Sequence, residues 1–428
     1  MSDDRPDRKQ SGFKEQTRVE AARTALRDRI DPIDRTERVG LERADGRVLA
    51  EPITAERNGP HYRRAAMDGY AVRASDTFGA SDRSPAVVSL GDRADPVAPG
   101  RAVRVHTGSE LPEGADAVVM IEDAETVGGE IEVFDAAAEG ENVAPVGEDV
   151  EAGQSLYDPG HRLRPSDLGL LRSTGVERVT VRERPRVAVI PTGEELVRTD
   201  PDPGEVVETN GLTVSRLVDR WGADASYREV VTDDVDALRE AIERDLDHDV
   251  VVTTGGSSVG ERDLLPEVVD DLGEVFVHGV ALKPGHPVAL GVVGGTPVLM
   301  LPGYPVACIV NAVQFLRPAL AWLQGTSLDP TSTVEATLER KLPSEPGVRT
   351  FARVQVRGRD RGEGTQARGR EGDSTGGDDP LTAVPTRTSG SGVLSSVALA
   401  DGWVVVPEES EGYPEGERVT VQYWEVQL

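Results

Sequence analysis

Three carboxylates, one lysine and a run of glycine-rich turns are the residues of this 428-residue chain whose types and spacing suit chemistry. The stretch Asp249–Asp263 reads DVVVTTGGSSVGERD. Gly255 and Gly256 give the backbone conformations closed to other residues. The amides and hydroxyls around Ser257, Ser258 and Gly260 suit an anion. Asp263 stands just before the apolar helical pattern Leu264, Leu265, Val268, Val269. A carboxylate beside a phosphate cradle is what a metal-bridged phosphate needs; a tight turn with a helix-capping Asp explains the same residues. Pro191-Thr192-Gly193-Glu194-Glu195-Leu196 sets two more carboxylates just after an apolar run. One of them can hold Mg2+, which takes a few carboxylates plus substrate phosphates; an acidic helix start, favoured by the helix dipole, is the alternative. Asp233 lies one strand–helix step later and has a capping alternative of its own. Glu195, Asp233 and Asp263 together, at one edge of a sheet, point to metal binding.

Lysine occurs four times, at Lys9, Lys14, Lys283 and Lys341. Lys283, in Leu282-Lys283-Pro284-Gly285, is a compact charge suited to a single anionic oxygen in a region whose other cations are Arg. Pro302-Gly303-Tyr304-Pro305 precedes a long apolar pattern, so its amides and the helix N-terminus can bind an anion; a rigid turn is the alternative. His61, His106, His161, His248, His278 and His286 have no metal-ligand spacing. No GxSxG, Walker A or GxGxxG segment occurs, which leaves hydrolase, P-loop and dinucleotide readings without a motif.

Alternating elements must position these residues. RVAVIPTG, ASYREVV, DVVVTT, EVFVHGVAL, PVALGVV and TPVLMLPG read as strands, and TNGLTVSRLVDRWG, DVDALREAIERDL, LLPEVVDDL and Val306 to Leu323 as helices. The expected layer is an open α/β domain with a largely parallel sheet. Its ligands sit beyond the carboxyl ends of the strands, where PTGEE, VVTDD, TTGGSSVGERD, ALKPG and LPGYP all fall. Before it come a helix carrying Val19, Ala22, Leu26 and Ile30, a second short helix over Val39 to Leu49, and short strands between turns over residues 51–145. After it come short strands expected to close a small β-barrel. Residues 1–15 read as a disordered tail, and Arg357 to Pro380 as a flexible surface loop.

Asp and Glu number 76 against 47 Lys and Arg, a net charge of −29. Few lysines, small apolar residues and this charge fit a high-salt cytoplasm, where ions screen self-repulsion. No basic stripe is available to neutralise nucleic-acid phosphates. The single Cys308 rules out an internal disulfide and a Cys-based metal cluster. No apolar run reaches the ~18 residues of a membrane span, and the N-terminus is no signal peptide. A cytoplasmic protein is expected, without nucleic-acid or membrane partners.

Ala66-Met67-Asp68-Gly69-Tyr70-Ala71-Val72 resembles the AMDGYA segment of the MoeA-type molybdopterin molybdenumtransferases, the family of the gephyrin E domain. Thr107-Gly108 with PEGADAVVMIED, then PTGEEL, TNG, TTGGSSVGERD, KPG and LPGYPVA, follow in the family's order over residues 17–428. The resemblance implies a multidomain α/β plus β fold: an N-terminal region over 16–183 (16–50 and 146–183, with a β-rich insert 51–145), a MogA-like α/β domain over 184–326 and a C-terminal barrel over 327–428. It implies insertion of molybdate, or tungstate, into adenylated molybdopterin with release of AMP, assisted by Mg2+. It also implies a homodimer and contact with a molybdopterin adenylyltransferase. Asp68 and Thr107 would face the site, and Glu195, Asp233 and Asp263 would handle metal and substrate. Lys283 would neutralise phosphate or molybdate, and Arg353 and Ser391 match functional positions in the barrel. Thr192, Gly193, Gly255, Gly256, Ser257, Ser258, Pro284, Gly285, Pro302 and Gly303 would line the substrate. Gly279, His286, Tyr304 and Ala307 depart from the family's pattern and alter the polar or cationic groups around the oxyanion. The adenylyltransferase step on the same α/β fold, and a non-catalytic molybdopterin-binding scaffold, are the rival readings.

Overall fold

A computed structural model describes residues 16–93, 95–255, 264–358, 381–386 and 391–425. The expected N-terminal tail, almost all of the glycine-rich insertion, and Gly256, Ser257, Ser258 and Asp263 lie outside the described residues. The chain forms two compact units, Thr36–Val181 and the pair of segments Met1–Arg35 and Arg182–Leu428.

In the second of these the β-branched runs form a six-stranded sheet. Its spatial order is Asp224–Tyr227, Arg186–Pro191, Val250–Thr254, Thr296–Leu301, Ala289–Val293 and Glu274–His278. The first four strands pair in parallel. Ala289–Val293 runs antiparallel to both of its neighbours, so Glu274–His278 again points the same way as the first four. Val250–Thr254 is buried at every residue, as a strand covered on both faces requires. Five strands therefore deliver their carboxyl ends, and the loops that follow, to one side of the sheet.

The long apolar helix runs over Pro305–Leu323. It is long and apolar enough to cross a membrane, which corrects the expectation that no run reaches that length. Burial of nearly nine-tenths of it inside the protein identifies it as a core helix. Residues Ala312–Leu316 take a π-helical turn. Pro318 explains this: it has no N–H for the carbonyl of Gln314 and its ring crowds that carbonyl. The freed Gln314 carbonyl accepts instead from Arg23 Nε at 3.0 Å. Arg23 belongs to the helix Val19–Arg27, whose Val19, Ala22 and Leu26 are fully buried in the core of the α/β layer.

After residue 332 five strands close a barrel in the order Arg349–Arg357, Thr382–Pro385, Thr333–Leu338, Arg418–Gln422 and Gly402–Val406, with the last pairing back to the first. Strand alternation divides the side chains. Ala352, Val354, Val404, Val419 and Val421 fill the interior. Phe351, Trp403 and Trp424 face outwards and join the α/β core beside Phe315, Leu316 and Leu320. Barrel and α/β layer thus share one hydrophobic core.

Unit Thr36–Val181 holds a separate six-stranded sheet in the order Ala117–Met120, Gly69–Val72, Arg101–Val105, Ala86–Gly91, Glu130–Val133 and Ala124–Val127. The helix expected over Val39 to Leu49 is replaced by a strand, Thr36–Gly40, and one 3-10 turn, Leu41–Arg43. Val39 and Leu41 are both buried, a spacing of two that suits a strand, and the strand pairs with Arg178–Arg182.

Trp403 is 1% exposed and stacks on Trp424 at 5.1 Å. Trp403→Ala should cost about 3–5 kcal/mol. Chemical denaturation of the full chain is the measurement; a loss below about 1 kcal/mol would show that the barrel does not lean on this core.

Candidate functional site

The ends of the four parallel strands are stitched together by backbone hydrogen bonds. Val231 N donates to Pro191 O at 2.8 Å, Gly193 N to Val231 O at 3.1 Å, and Gly255 N to Leu301 O at 3.1 Å. Gly255 has φ +137°, and a Cβ there would lie 2.0 Å from the carbonyl oxygen of Thr192. Only glycine allows the two loops to meet so closely. Gly303 adds the next loop, since a Cβ on it would stand 3.5 Å from Gly255 Cα.

Thr192 is 1% exposed, and its Oγ1 has no hydrogen-bond partner among the described residues. Glu195 is exposed, and its carboxylate folds back over Gly193, with oxygens 2.8 and 3.0 Å from where a Cβ on Gly193 would stand. Asp233 is half-buried on the adjoining loop. Its capping alternative falls away because Asp234 does that work, accepting from Asp236 N at 3.1 Å and Ala237 N at 3.0 Å. Among the described residues no three His, Cys, Asp or Glu side chains converge on one point. Asp263, the third carboxylate expected here, lies outside them.

Lys283 sits on the loop that follows Glu274–His278. Leu282–Lys283 pairs with the barrel strand Arg349–Arg357, and Lys283 Nζ donates to Glu345 at 2.9 Å. Both side chains are more than half exposed, so the contact is weak and readily exchanged. Pro284 joins Lys283 through a cis peptide bond. Gly285 carries φ +117°, and its carbonyl accepts from Asn311 Nδ2 at 2.9 Å. His286 is half-buried, and burial, reinforced by the Lys283 charge, lowers its pKa and so disfavours its charged form. Pro302 is buried. Tyr304 is 60% exposed, with its ring 3.3 Å from where a Cβ on Gly392 would stand. Ser391 O accepts from Val306 N at 3.0 Å, which ties a barrel loop to the start of the long helix.

Arg353 is the most unusual group. It is 2% exposed on the outward face of its strand, beside Phe351, and its Nε and Nη2 have no hydrogen-bond partner among the described residues. Burial alone lowers its pKa. A buried guanidinium without a carboxylate is costly, and an anion from outside is what would satisfy it.

In the other unit the sequence-predicted pair is together. Thr107 donates to Asp68 Oδ1 from its backbone N at 2.7 Å and from Oγ1 at 2.9 Å. The Thr107 amide, above all, holds the Asp68 carboxyl below the usual carboxylate range. His106 Nδ1 lies 3.8 Å from Asp68 Oδ2.

Sequence reasoning missed the clamp behind these loops. Glu208 is buried and accepts from Gly211 N at 2.6 Å, while the Tyr227 hydroxyl donates to its other oxygen. Asn210 Nδ2 donates to Gly303 O at 2.7 Å. Glu208 therefore joins the end of the strand Asp224–Tyr227 to the start of the helix Asn210–Arg220, and Asn210 reaches on to the Gly303 loop. A Glu immediately before TNG was the visible signal.

Three family models match the chain in order. They are the MoeA N-terminal region (domains I and II) over residues 17–175, a probable molybdopterin binding domain over 188–322, and the MoeA C-terminal region (domain IV) over 335–424. The molybdopterin molybdenumtransferase of Bacillus subtilis is 32% identical over 406 residues, 90% of this chain and 89% of that one. The chain belongs to the MoeA family. A Methanocaldococcus jannaschii protein provisionally named for molybdopterin biosynthesis is 35% identical over 407 residues, covering 92% of this chain and 94% of that one. A crystal structure of the molybdopterin biosynthesis MoeA protein from Pyrococcus horikoshii superposes with a TM-score of 0.77 at 34% identity, over 96% of this chain and all of that one. The MoeA fold, with its central MogA-like domain and C-terminal barrel, is the architecture described above, and membership of the family gives the chain a role in molybdenum cofactor biosynthesis.

Burial, and then the bond to Glu208, push the Tyr227 hydroxyl up to about 12 from 10.0. The folded state holds this proton more tightly than the unfolded chain. The clamp's contribution to stability is therefore complete below pH 10 and is lost as pH rises towards 12. Denaturation of wild type and Tyr227→Phe across that window should show a fall in stability that the variant lacks; parallel curves would remove the clamp.

Proposed function

We propose that this protein inserts molybdate into adenylated molybdopterin and releases AMP, with Mg2+ assisting. The observation that carries the reading is Arg353. A buried guanidinium whose Nε and Nη2 lack a partner among the described residues suits a compact oxyanion such as molybdate, which would supply one. Ser391 and the Lys283 ammonium are the further donors proposed for that anion.

The donor set on the α/β loops fits Mg2+. Glu195 and Asp233 offer hard carboxylate oxygens on adjoining loops, and the unpartnered Thr192 Oγ1 is a third hard oxygen. Asp263 completes the proposed set. Bound there, Mg2+ would neutralise the pyrophosphate of the adenylated pterin and polarise the phosphorus from which AMP departs. The chain's own residues do the rest. The Gly193, Gly255 and Gly303 loops, fixed by close backbone contact, cradle the phosphates. Lys283 gives up its exposed contact with Glu345 and neutralises the anion. Asp68, held ionised by Thr107, can only accept hydrogen bonds, so it orients donors on the substrate. A homodimer would bring Asp68 of one subunit to the loops of the other.

The test is a mixture of purified protein, adenylated molybdopterin, molybdate and Mg2+, with AMP as the readout. Arg353→Gln should raise the molybdate concentration needed for half-maximal rate at least tenfold while raising the melting temperature, because it removes an unpaired buried charge. Wild-type molybdate dependence in this variant would overturn the anion assignment. Chelation should abolish AMP release and added Mg2+ restore it, with Asp233→Asn needing more Mg2+ than wild type. Release that is indifferent to chelation would remove the metal from the mechanism.

A further inference from the structure

A cavity of about 330 Å³ lies in the larger unit, between the helix Val19–Arg27, the π-helical turn of the long helix, the linker that follows it and the outward face of the barrel. None of Thr192, Glu195, Asp233, Lys283, Arg353 and Ser391 lines it. Its volume is at the lower end of the range of about 300–1,000 Å³ typical of small-molecule sites.

The walls have two characters. Phe351, Trp403 and Trp424 form one side, with Trp403 stacked on Trp424 and edge-on to Phe351. Arg23, Arg317 and Arg349 line the other. Three guanidiniums turned into one cavity stand out in a chain of net charge −29. Their partners differ. Arg349 is neutralised by Glu20 at 2.6 Å and Glu408 at 3.1 Å. Arg23 shares Glu20 at 3.3 Å and spends Nε and Nη2 on Gln314. Arg317 makes two long contacts of 3.3 Å, to Thr331 Oγ1 and to the backbone carbonyl of Asp329, and the Asp329 charge partly offsets the cost of its burial. The Asp329 carboxylate is the one acidic side chain lining the cavity. Burial lowers the pKa of both Arg23 and Arg317, the mark of cations short of solvent. The π turn contributes Val313 and Gln314 to the wall, and such turns recur at functional sites.

We propose that this cavity binds a flat organic anion, a ring bearing a single carboxylate or phosphate, with the ring against Trp403, Trp424 and Phe351 and the charged group on Arg317. Either a free aromatic carboxylate or a nucleoside monophosphate carries that chemistry. The ring would lie against an indole and phenyl wall, and the anion would replace the two long contacts of the Arg317 guanidinium with a charge-assisted fork.

Trp403 and Trp424 are two of the four tryptophans, so binding is readable by intrinsic fluorescence. Full-length protein is titrated at constant ionic strength with benzoate and with AMP. Benzamide, adenosine and inorganic phosphate are the controls. The expected result is a saturable change with benzoate, AMP or both, at least tenfold weaker in Arg317→Gln and absent with the controls. Leu328→Phe, which fills the cavity from the linker, should abolish it with the melting temperature unchanged, and this holds even if Arg317→Gln folds poorly. Three outcomes overturn the proposal: no saturable change with either anion, a response to phosphate equal to theirs, or an AMP response that Leu328→Phe leaves intact, which would place AMP at the strand-end loops instead.

Discussion

The parallel pairing of four strands is the constraint on which the rest of this molecule depends. A parallel pair cannot be joined by a tight turn, so each strand must return through a helix. Every strand of that set then ends on the same side, and the only irregular backbone the sheet permits there is loop. The antiparallel strand Ala289–Val293 does not break the rule, because it follows Glu274–His278 and turns the chain back into Thr296–Leu301, so both of those strands keep the common direction. The crowding of loops that results is what demands glycine at Gly255, against the Thr192 carbonyl. It also leaves a buried threonine hydroxyl and two carboxylates close to backbone that no longer belongs to a ladder. The site is a by-product of topology before it is a set of residues.

The barrel answers a different requirement. Small barrels fill their interior with small side chains, here mostly Val and Ala, and so have little room for large ones. The large aromatics therefore point outward and need another surface. The α/β layer supplies it, and one shared core holds the two together. Arg353 lies on that same outward face, which is why a guanidinium can be buried without a neighbouring acid: the packing that covers it was set by Phe351 and Trp403.

VVVTT was legible in the sequence because a strand buried on both faces is apolar throughout, and LLPEVVDDL because its apolar residues recur at helical spacing; the strand and helix occupy those residues. Val39 to Leu49 misled because its apolar residues fit a helical spacing as well as a strand, and only the partner at Arg178–Arg182 decides between them. The MoeA segments were legible as ordered motifs. The state of their side chains was not. That Asp234 rather than Asp233 caps the helix is a matter of one residue of phase. That Arg353 is unpaired depends on a register between strands fifty residues apart, Arg353 opposite Trp403. The Glu208–Tyr227 bond joins residues separated by a helix, and nothing local in either predicts the other.

The π turn at Ala312–Leu316 has a consequence for how the chain comes to be folded. Its loose carbonyl is held by Arg23, and the two are 291 residues apart. Between them the chain makes an entire compact unit, Thr36–Val181, with its own sheet and its own cores. During synthesis the helix Val19–Arg27 emerges first, and the segments that bury its Val19, Ala22 and Leu26, within Glu274–Leu323, emerge only after the whole of Thr36–Val181. The first helix must therefore wait, apolar face uncovered, while the inserted unit folds ahead of it as a self-contained body. The contact of Arg23 with the Gln314 carbonyl therefore cannot form until the chain is made at least to residue 314.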